Sequence, residues 1–306
     1  MAIQFHKMHG LGNDFVLIDN RQQQFKPDTK LLTGLANRHT GIGCDQFLIL
    51  EAPALPSAYL NFRIFNADGS EAEQCGNGMR CITQYLGMQG EISTAEFIIN
   101  GIAGPVVCRW QPDGELNQVA INMGEPVFQS ADIPLETHHL QALGNSNWHL
   151  QIGDIKLKLS AVSMGNPHIV LLAEDQPGVS LEMLANLLSE HPAFPAGVNI
   201  GLVENFSFKE INLTVFERGS GPTRACGSGA CAAMAALRLA GKIDRRVTVR
   251  QPGGELVIEW DGIRETSEVE SSPCGGLAIV SDADDNALWM TGLASYVFKG
   301  EFRDEH

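Results

Sequence analysis

Positive charge is scarce in this chain: 21 lysines and arginines stand against 36 aspartates and glutamates, a net charge of −15. Such a balance is unsuited to nucleic acid, which is bound by neutralising phosphates with Lys and Arg. Long apolar runs are also missing. Nothing reaches the roughly 20 residues needed to cross a bilayer, and the smoothest stretch, Ala225 to Leu237, is mostly alanine and glycine and runs into Arg238. Met1 to Met8 lacks the charged-then-apolar pattern of a secretion leader, so neither export nor a membrane partner is expected. The 7 cysteines are odd in number and include no Cys-x-x-Cys. That argues against a disulfide framework and for a reducing compartment, the cytoplasm.

What the chain has in quantity is glycine, 32 of 306 residues, as in folds whose short strands are joined by many tight turns. The length suffices for two domains, each with its own core. An internal repeat supports that division. Phe65-Asn-Ala-Asp-Gly-Ser-Glu-Ala-Glu-Gln-Cys75-Gly-Asn-Gly78 has a counterpart in Phe216-Glu-Arg-Gly-Ser-Gly-Pro-Thr-Arg-Ala-Cys226-Gly-Ser-Gly229. Upstream, Gly12-Asn13-Asp14-Phe15 echoes Gly165-Asn166-Pro167-His168. Asn13 and Asn166 stand 153 positions apart, Gln46 and Asn199 153, Asn66 and Glu217 151, and Cys75 and Cys226 151. Chance matches would not hold one offset so closely across four sites.

Strands are expected at Leu60–Phe65, Gln118–Asn122 and Ile211–Phe216, and at Val247–Arg250 and Glu255–Glu259 as a hairpin across Pro252-Gly253-Gly254. Helices are expected at Leu31–Arg38, Gly76–Met88, Leu181–Ser189 behind Ser180 as N-cap, and Gly227–Leu239. The fold expected is mixed α/β: two pseudo-symmetric domains, residues 1–124 and 125–289, each a strand-rich sheet or barrel around a central helix. The C-terminal stretch, about 290–306, is expected to rejoin the first half through Ala294–Phe298, and the active site to lie in the cleft between the domains.

Cys75 and Cys226 each stand where a strand and a glycine-rich turn give way to a helix. Unpaired N–H groups at a helix start bind carboxylates, and the same end of the dipole lowers a thiol pKa from about 8.5 toward neutrality. Gly76, Gly78, Gly227 and Gly229 would let a ligand approach the backbone. A lone cysteine is more often packing than chemistry, and Cys44, Cys81, Cys108, Cys231 and Cys274 are assigned to packing. The repeat sets Cys75 and Cys226 apart. Two thiols facing one carbon suit inversion of an amino acid, in which a proton leaves one face and another arrives on the opposite face. The chain shows no signature of a pyridoxal lysine, so no cofactor is expected, and the cysteine spacings do not suit a metal.

Asn13, Gln46, Asn66, Asn166 and Asn199 are amides able to meet both ammonium and carboxylate groups. Glu217-Arg218 breaks the symmetry, since Asn66-Ala67 stands opposite, and offers a carboxylate for an ammonium and a guanidinium for a carboxylate. His168 could tune a thiol. Arg80 and Arg224 read as helix-surface charges outside the site.

At these residues the chain resembles the diaminopimelate epimerase family. The resemblance runs through Gly10-Leu-Gly-Asn-Asp-Phe15, Asn66-Ala-Asp-Gly-Ser-Glu71, Cys75-Gly-Asn-Gly78 with Arg80 and Cys81, Gly165-Asn-Pro-His168, Glu217-Arg-Gly219, Ala225-Cys-Gly-Ser-Gly-Ala230 and Trp289-Met-Thr-Gly292. It implies interconversion of LL- and meso-2,6-diaminopimelate on the route to lysine and peptidoglycan, by a cofactor-independent enzyme that is usually a homodimer. It implies Cys75 and Cys226 as acid and base, with His168 and Glu217 tuning them. The implied substrate contacts are Asn13, Gln46, Asn66, Gly76, Asn77, Asn166, Asn199, Glu217, Arg218, Gly227 and Ser228. Two positions depart from the family pattern: Pro222 in Gly221-Pro222-Thr223 replaces a glutamate, and Leu293 replaces a proline. The alternatives are a racemase of another amino acid such as histidine on the same scaffold, and, more remotely, a thiol redox protein or a non-catalytic binder.

Overall fold

The structure, a computed structural model, describes residues 2–93, 96–111, 118–144, 146–176, 178–262 and 286–303. Cys274 and the parts of the half boundaries within 263–285 and 304–306 lie outside the described residues.

The first half runs β1 (Ala2–Gly10), β2 (Asn13–Asp19), α1 (Thr29–Ala36), β3 (Gln46–Glu51), β4 (Leu60–Asn66), β5 (Glu71–Ala72), α2 (Gly76–Met88), β6 (Glu96–Gly101), β7 (Gly104–Gln111) and β8 (Gln118–Asn122). The second runs β9 (Leu140–Gly144), β10 (Asn147–Ile152), β11 (Ile155–Ser163), β12 (Pro167–Leu172), α3 (Leu181–Leu188), β13 (Asn199–Phe206), β14 (Glu210–Glu217), β15 (Gly221–Thr223), α4 (Gly227–Leu239), β16 (Arg246–Gln251), β17 (Gly254–Glu259) and β18 (Trp289–Leu293). The chain ends in β19 (Ser295–Arg303). The result is the mixed, strand-rich α/β fold expected.

The repeat extends to strand pairing. β2 lies parallel to β3 and β12 parallel to β13; β4 is parallel to β6 and β14 to β16. The sequence offset thus relates β1–β7 to β11–β17 and α2 to α4, while β8 and β18 each follow as the next strand of their half. β8 and β18 pair antiparallel with each other from Asn122↔Trp289 to Gln118↔Leu293, joining the halves. β19 pairs antiparallel with β1 from Ala2↔Arg303 to His9↔Ser295, so the chain's last strand lies on the first half.

Local chemistry sets the helix starts. Asp28 caps α1 by accepting from the N–H groups of Lys30 (2.8 Å) and Leu31 (3.1 Å), a bond set worth about 1 kcal/mol. The helix therefore begins earlier than the apolar pattern indicates. It ends before Arg38 because Asn37 Oδ1 turns the chain by accepting from His39 and Thr40. Ser180 caps α3 through Met183 N–H at 3.2 Å.

α2 and α4 are the central helices. α2 is buried from Asn77 to Gly87, and α4 at all but Ser228 from Gly227 to Leu237. Cys81, Ile82 and Leu86 share one core with Ala230–Leu237 and Met290. Separate clusters back each half: Val16, Ile49 and Leu32 behind the first, Ile169, Ile200 and Leu184 behind the second.

Candidate active site

Cys75 is the N-cap of α2 and Cys226 the N-cap of α4, both in extended backbone. Cys226 Sγ accepts from Gly229 N–H at 3.3 Å, where a serine or aspartate oxygen would usually serve. The Cys75 sulfur stands near the Gly78 N–H without closing the same cap bond.

Cross-half contacts bring the two helix starts together. Asn77 Nδ2 donates to the carbonyl of Ala225, the residue before Cys226, at 3.4 Å. A Cβ on Gly76 would meet Met290 Cε at 2.7 Å and one on Gly227 would meet Met290 Sδ at 2.9 Å. The missing side chains therefore admit Met290 between the turns. Gly76 and Gly227 were expected to leave room for a ligand; here packing fills that room, and their backbone N–H groups are what remains for substrate. Two further cross-half contacts involve repeat-related glycines: Gly165 approaches Gln74, and Gly12 approaches Arg224. Gly12 and Gly165 share a left-handed φ of 87° and 86°, a conformation glycine adopts without cost.

The matched polar residues cluster at the same strand ends. Asn13 begins β2, and its amide reaches Cys75 Sγ at 3.7 Å. Gln46 pairs with Asn66 across β3 and β4, Nε2 to Oδ1 at 2.9 Å, and Asn66 donates to Ser70 Oγ at 3.0 Å. The Gln46 Oε1 is buried without a partner. In the second half, buried Asn199 donates to Pro167 O at 3.1 Å and accepts from Arg218 N–H at 2.9 Å. Arg218 lies against Gly197, and its Nη1 bonds Ala196 O at 2.5 Å. Thr223 Oγ1 donates to Glu217 Oε1 at 2.6 Å. Ser228 Oγ lies 3.5 Å from Cys226 Sγ. The side chains of Asn77 and Asn199 are thus committed within the protein: Asn77 Oδ1 takes Arg80 Nη2 at 2.7 Å. Neither side-chain amide is free to hold a substrate, and the Asn77 N–H at the start of α2 is turned to the Cys75 sulfur.

Charge departs from the sequence expectation. A helix N-terminus was expected to bring both thiols toward neutrality. Cys226 is 3% exposed. Burial pushes both thiols up, with Glu217 adding to it; the N–H groups of Gly78 and Asn77 and the Arg80 charge pull Cys75 back. At Cys226 the Ser228 hydroxyl and Gly229 N–H oppose a stronger rise, to which Glu217 contributes by charge and hydrogen bond. Desolvation of an anion outweighs one helix end. Cys75 is partly accessible yet enclosed on most sides, so its thiol shares the penalty.

His168 does not act on either sulfur directly. It is buried, its Nε2 lies 2.9 Å from Asn166 Oδ1, and burial, helped by the Arg218 charge, holds its pKa down to about 3. A neutral ring that orients Asn166 is its visible role. Arg80, read from sequence as a surface charge, is fully buried. Sequence reasoning also passed over Thr223, Met290 and Gln251, whose Oε1 accepts the Cys226 N–H at 2.8 Å. Only the Thr223 position, six residues after Glu217 in a tight β14–β15 hairpin, carried a readable signal. Cys44, Cys81, Cys108 and Cys231 are buried, as packing residues would be.

The arrangement presents two sulfurs at paired helix starts, with free N–H groups on each and a carboxylate beside one. Comparison with known proteins shows the family. The family model described as diaminopimelate epimerase matches residues 5–129 and again 160–274, once per half. A diaminopimelate epimerase from Teredinibacter turnerae is 39% identical over 303 residues, covering 99% of this chain and 100% of the relative. Among solved structures, a hydroxyproline epimerase from Agrobacterium vitis superposes with a TM-score of 0.63 at 15% identity, covering 98% and 92% of the two chains. A PhzF-family phenazine biosynthesis protein from Bacillus anthracis gives 0.60 at 14%, covering 99% of each. At such identities these structures speak for the fold alone.

Proposed function

The chain belongs to the diaminopimelate epimerase family, and from that premise we propose that it interconverts LL- and meso-2,6-diaminopimelate with Cys75 and Cys226 as opposed base and acid. One sulfur, as thiolate, takes the α-proton; the electron pair left on carbon is delocalised into the carboxylate. The other sulfur, as thiol, delivers its proton to the opposite face. Each turnover therefore leaves the pair with protonation exchanged, ready for the reverse direction.

The observation that carries this reading is the joining of two cysteine-capped helices by Asn77 and Met290. The N–H groups at the starts of α2 and α4 are suited to the substrate carboxylate, on which negative charge grows in the transition state. Glu217 is suited to the α-ammonium. That pairing would cancel the charge that raises both thiols, so a thiolate becomes easier to form once substrate is bound. Arg218, Asn66, Asn13 and Asn166 serve the rest of the substrate in this reading.

Incubation of reduced protein with LL-diaminopimelate, with chiral chromatography of the products, tests the substrate. Appearance of the meso isomer supports it. Inversion of histidine or another amino acid in a parallel panel, without diaminopimelate turnover, transfers the function to that substrate.

We also propose a homodimer and a cytoplasmic location. β19 pairs only with β1 among the described residues and exposes Val297 and Phe298, the kind of apolar edge that a second copy covers. The cysteines of the described residues are free thiols, which suits a reducing compartment.

A further inference from the structure

The Arg80 guanidinium is fully buried and, among the described residues, has no ion-pair partner. Its neighbours are neutral: Asn77 Oδ1 at 2.7 Å, Leu293 O at 3.4 Å, Gly76 O at 3.5 Å and Met290 Sδ at 3.6 Å. A buried cation without a counter-charge is costly, and burial pulls the Arg80 pKa down accordingly. The groups around it that can become anionic are thiols, Cys75 and Cys81 on α2 and Cys231 on α4. Cys81 and Cys231 are packing residues whose burial pushes them far up. Cys75 is the one that chemistry requires as an anion.

The repeat isolates the effect. The residue 151 positions after Arg80 is Cys231, and the residue 151 positions before Glu217 is Asn66. The pseudo-symmetry is therefore broken twice in charge: the helix that Cys75 caps carries the Arg80 cation where the helix that Cys226 caps has the neutral Cys231, while the anionic Glu217 bonds at Cys226. Glu217 also faces Cys75 from β14, where the N–H groups of Asn77 and Gly78 and the Arg80 charge oppose it.

We propose that Arg80 is a positioning residue that acts as counter-charge to the Cys75 sulfur, so that in the substrate-free protein Cys75 gives up its proton before Cys226 as pH rises. In that step the Cys75 S–H bond breaks, its proton passes to water and the electron pair stays on sulfur. Arg80 acts at the same time through Asn77, whose Oδ1 it holds while Nδ2 reaches Ala225. The proposal rests on the two-thiol reading above and refines it.

Alkylation of the reduced full chain by iodoacetamide across a pH series, with each cysteine peptide quantified by mass spectrometry, provides the test. The pH midpoint separates ionisation from access. The expected result is a lower midpoint for Cys75 than for Cys226 in the unaltered protein. Arg80→Gln is expected to raise the Cys75 midpoint by about 1 unit, roughly tenfold in proton affinity, and to move Cys226 less; Arg80→Lys is expected to restore most of the shift. Cys226 titrating first, or a Cys75 midpoint unmoved in folded Arg80→Gln, overturns the proposal. If Arg80→Gln does not fold, the order in the unaltered protein and the Arg80→Lys midpoint decide. Because alkylation needs no turnover, a protein inactive on diaminopimelate would defeat the substrate reading and leave this one standing or falling on its own.

Discussion

Asn77 donates its amide to the carbonyl of Ala225 at 3.4 Å, tying the first turn of one cysteine-capped helix to the residue before the other cysteine. The two halves of the repeat thus meet at the point where each places its sulfur. Met290 completes the joint by filling the space that Gly76 and Gly227 leave open.

If both sulfurs are needed, removing either stops inversion. Cys75→Ala and Cys226→Ala are each expected to lower kcat by at least about 10² to 10⁴, the range of a lost acid or base, with the fold kept. Chiral chromatography of LL-diaminopimelate after long incubation checks this. A single mutant inverting at the unaltered rate contradicts the two-base assignment.

Thr223 fixes Glu217 through a 2.6 Å bond to Oε1. Thr223→Val keeps the shape and removes the donor, at a cost of about 1 kcal/mol. In steady-state kinetics that predicts a several-fold rise in KM, since Glu217 is read as the ammonium partner, with a smaller change in kcat. An unchanged KM would separate Glu217 from substrate binding.

Met290 is fully buried between the helix starts. Gly227→Ala places a methyl group against its sulfur, for which overpacking costs about 1–3 kcal/mol, and Met290→Ala opens a cavity costing about 2–5 kcal/mol. The double mutant should lose less stability than the sum, because the smaller side chain admits the new Cβ. Urea unfolding of the four proteins gives the coupling; strict additivity would place Met290 elsewhere.

His168 has a folded pKa of about 3 against the ordinary 6.5. Below 6.5 the unfolded chain binds a proton that the folded one refuses, so the contribution to stability is complete above pH 6.5. It is lost as pH falls toward 3, by about 1.4 kcal/mol per pH unit in mid-window. Unfolding free energies between pH 7 and 4 should therefore fall less steeply in His168→Asn than in the unaltered protein. Equal slopes would mean that His168 is protonated without penalty.

Much of this was legible beforehand. α2 and α4 begin and end as the sequence pattern indicates, because a glycine-rich turn followed by an unbroken helix-forming run leaves few alternatives. The β16–β17 hairpin closes around Pro252-Gly253, pairing Gln251 with Gly254. The repeat offset led to Asn13, Gln46, Asn66, Asn166, Asn199 and Glu217, which stand at corresponding strand ends. Burial was not legible. Arg80 four residues into a helix reads as a surface charge in any local window, and only the packing of α2 against α4 and β18 encloses it. The same enclosure reverses the expected thiol shift, since the desolvation of Cys226 depends on surroundings distant in sequence. Which amides are free for substrate was hidden too: Asn77 and Asn199 spend their side chains on Ala225, Arg80, Pro167 and the Arg218 N–H.

The most direct test of the central claim follows hydrogen at the inverted carbon. Reduced protein is incubated with LL-diaminopimelate in D2O, and the first-formed meso isomer and the remaining LL isomer are separated and examined by NMR and mass spectrometry. Two opposed sulfurs predict deuterium at the inverted carbon of the product from the earliest times, with the remaining LL isomer still largely protonated, because the acid that delivers the new hydrogen has equilibrated with solvent. Product that retains its original hydrogen at that carbon would require one group to carry the proton across both faces, and would contradict the account.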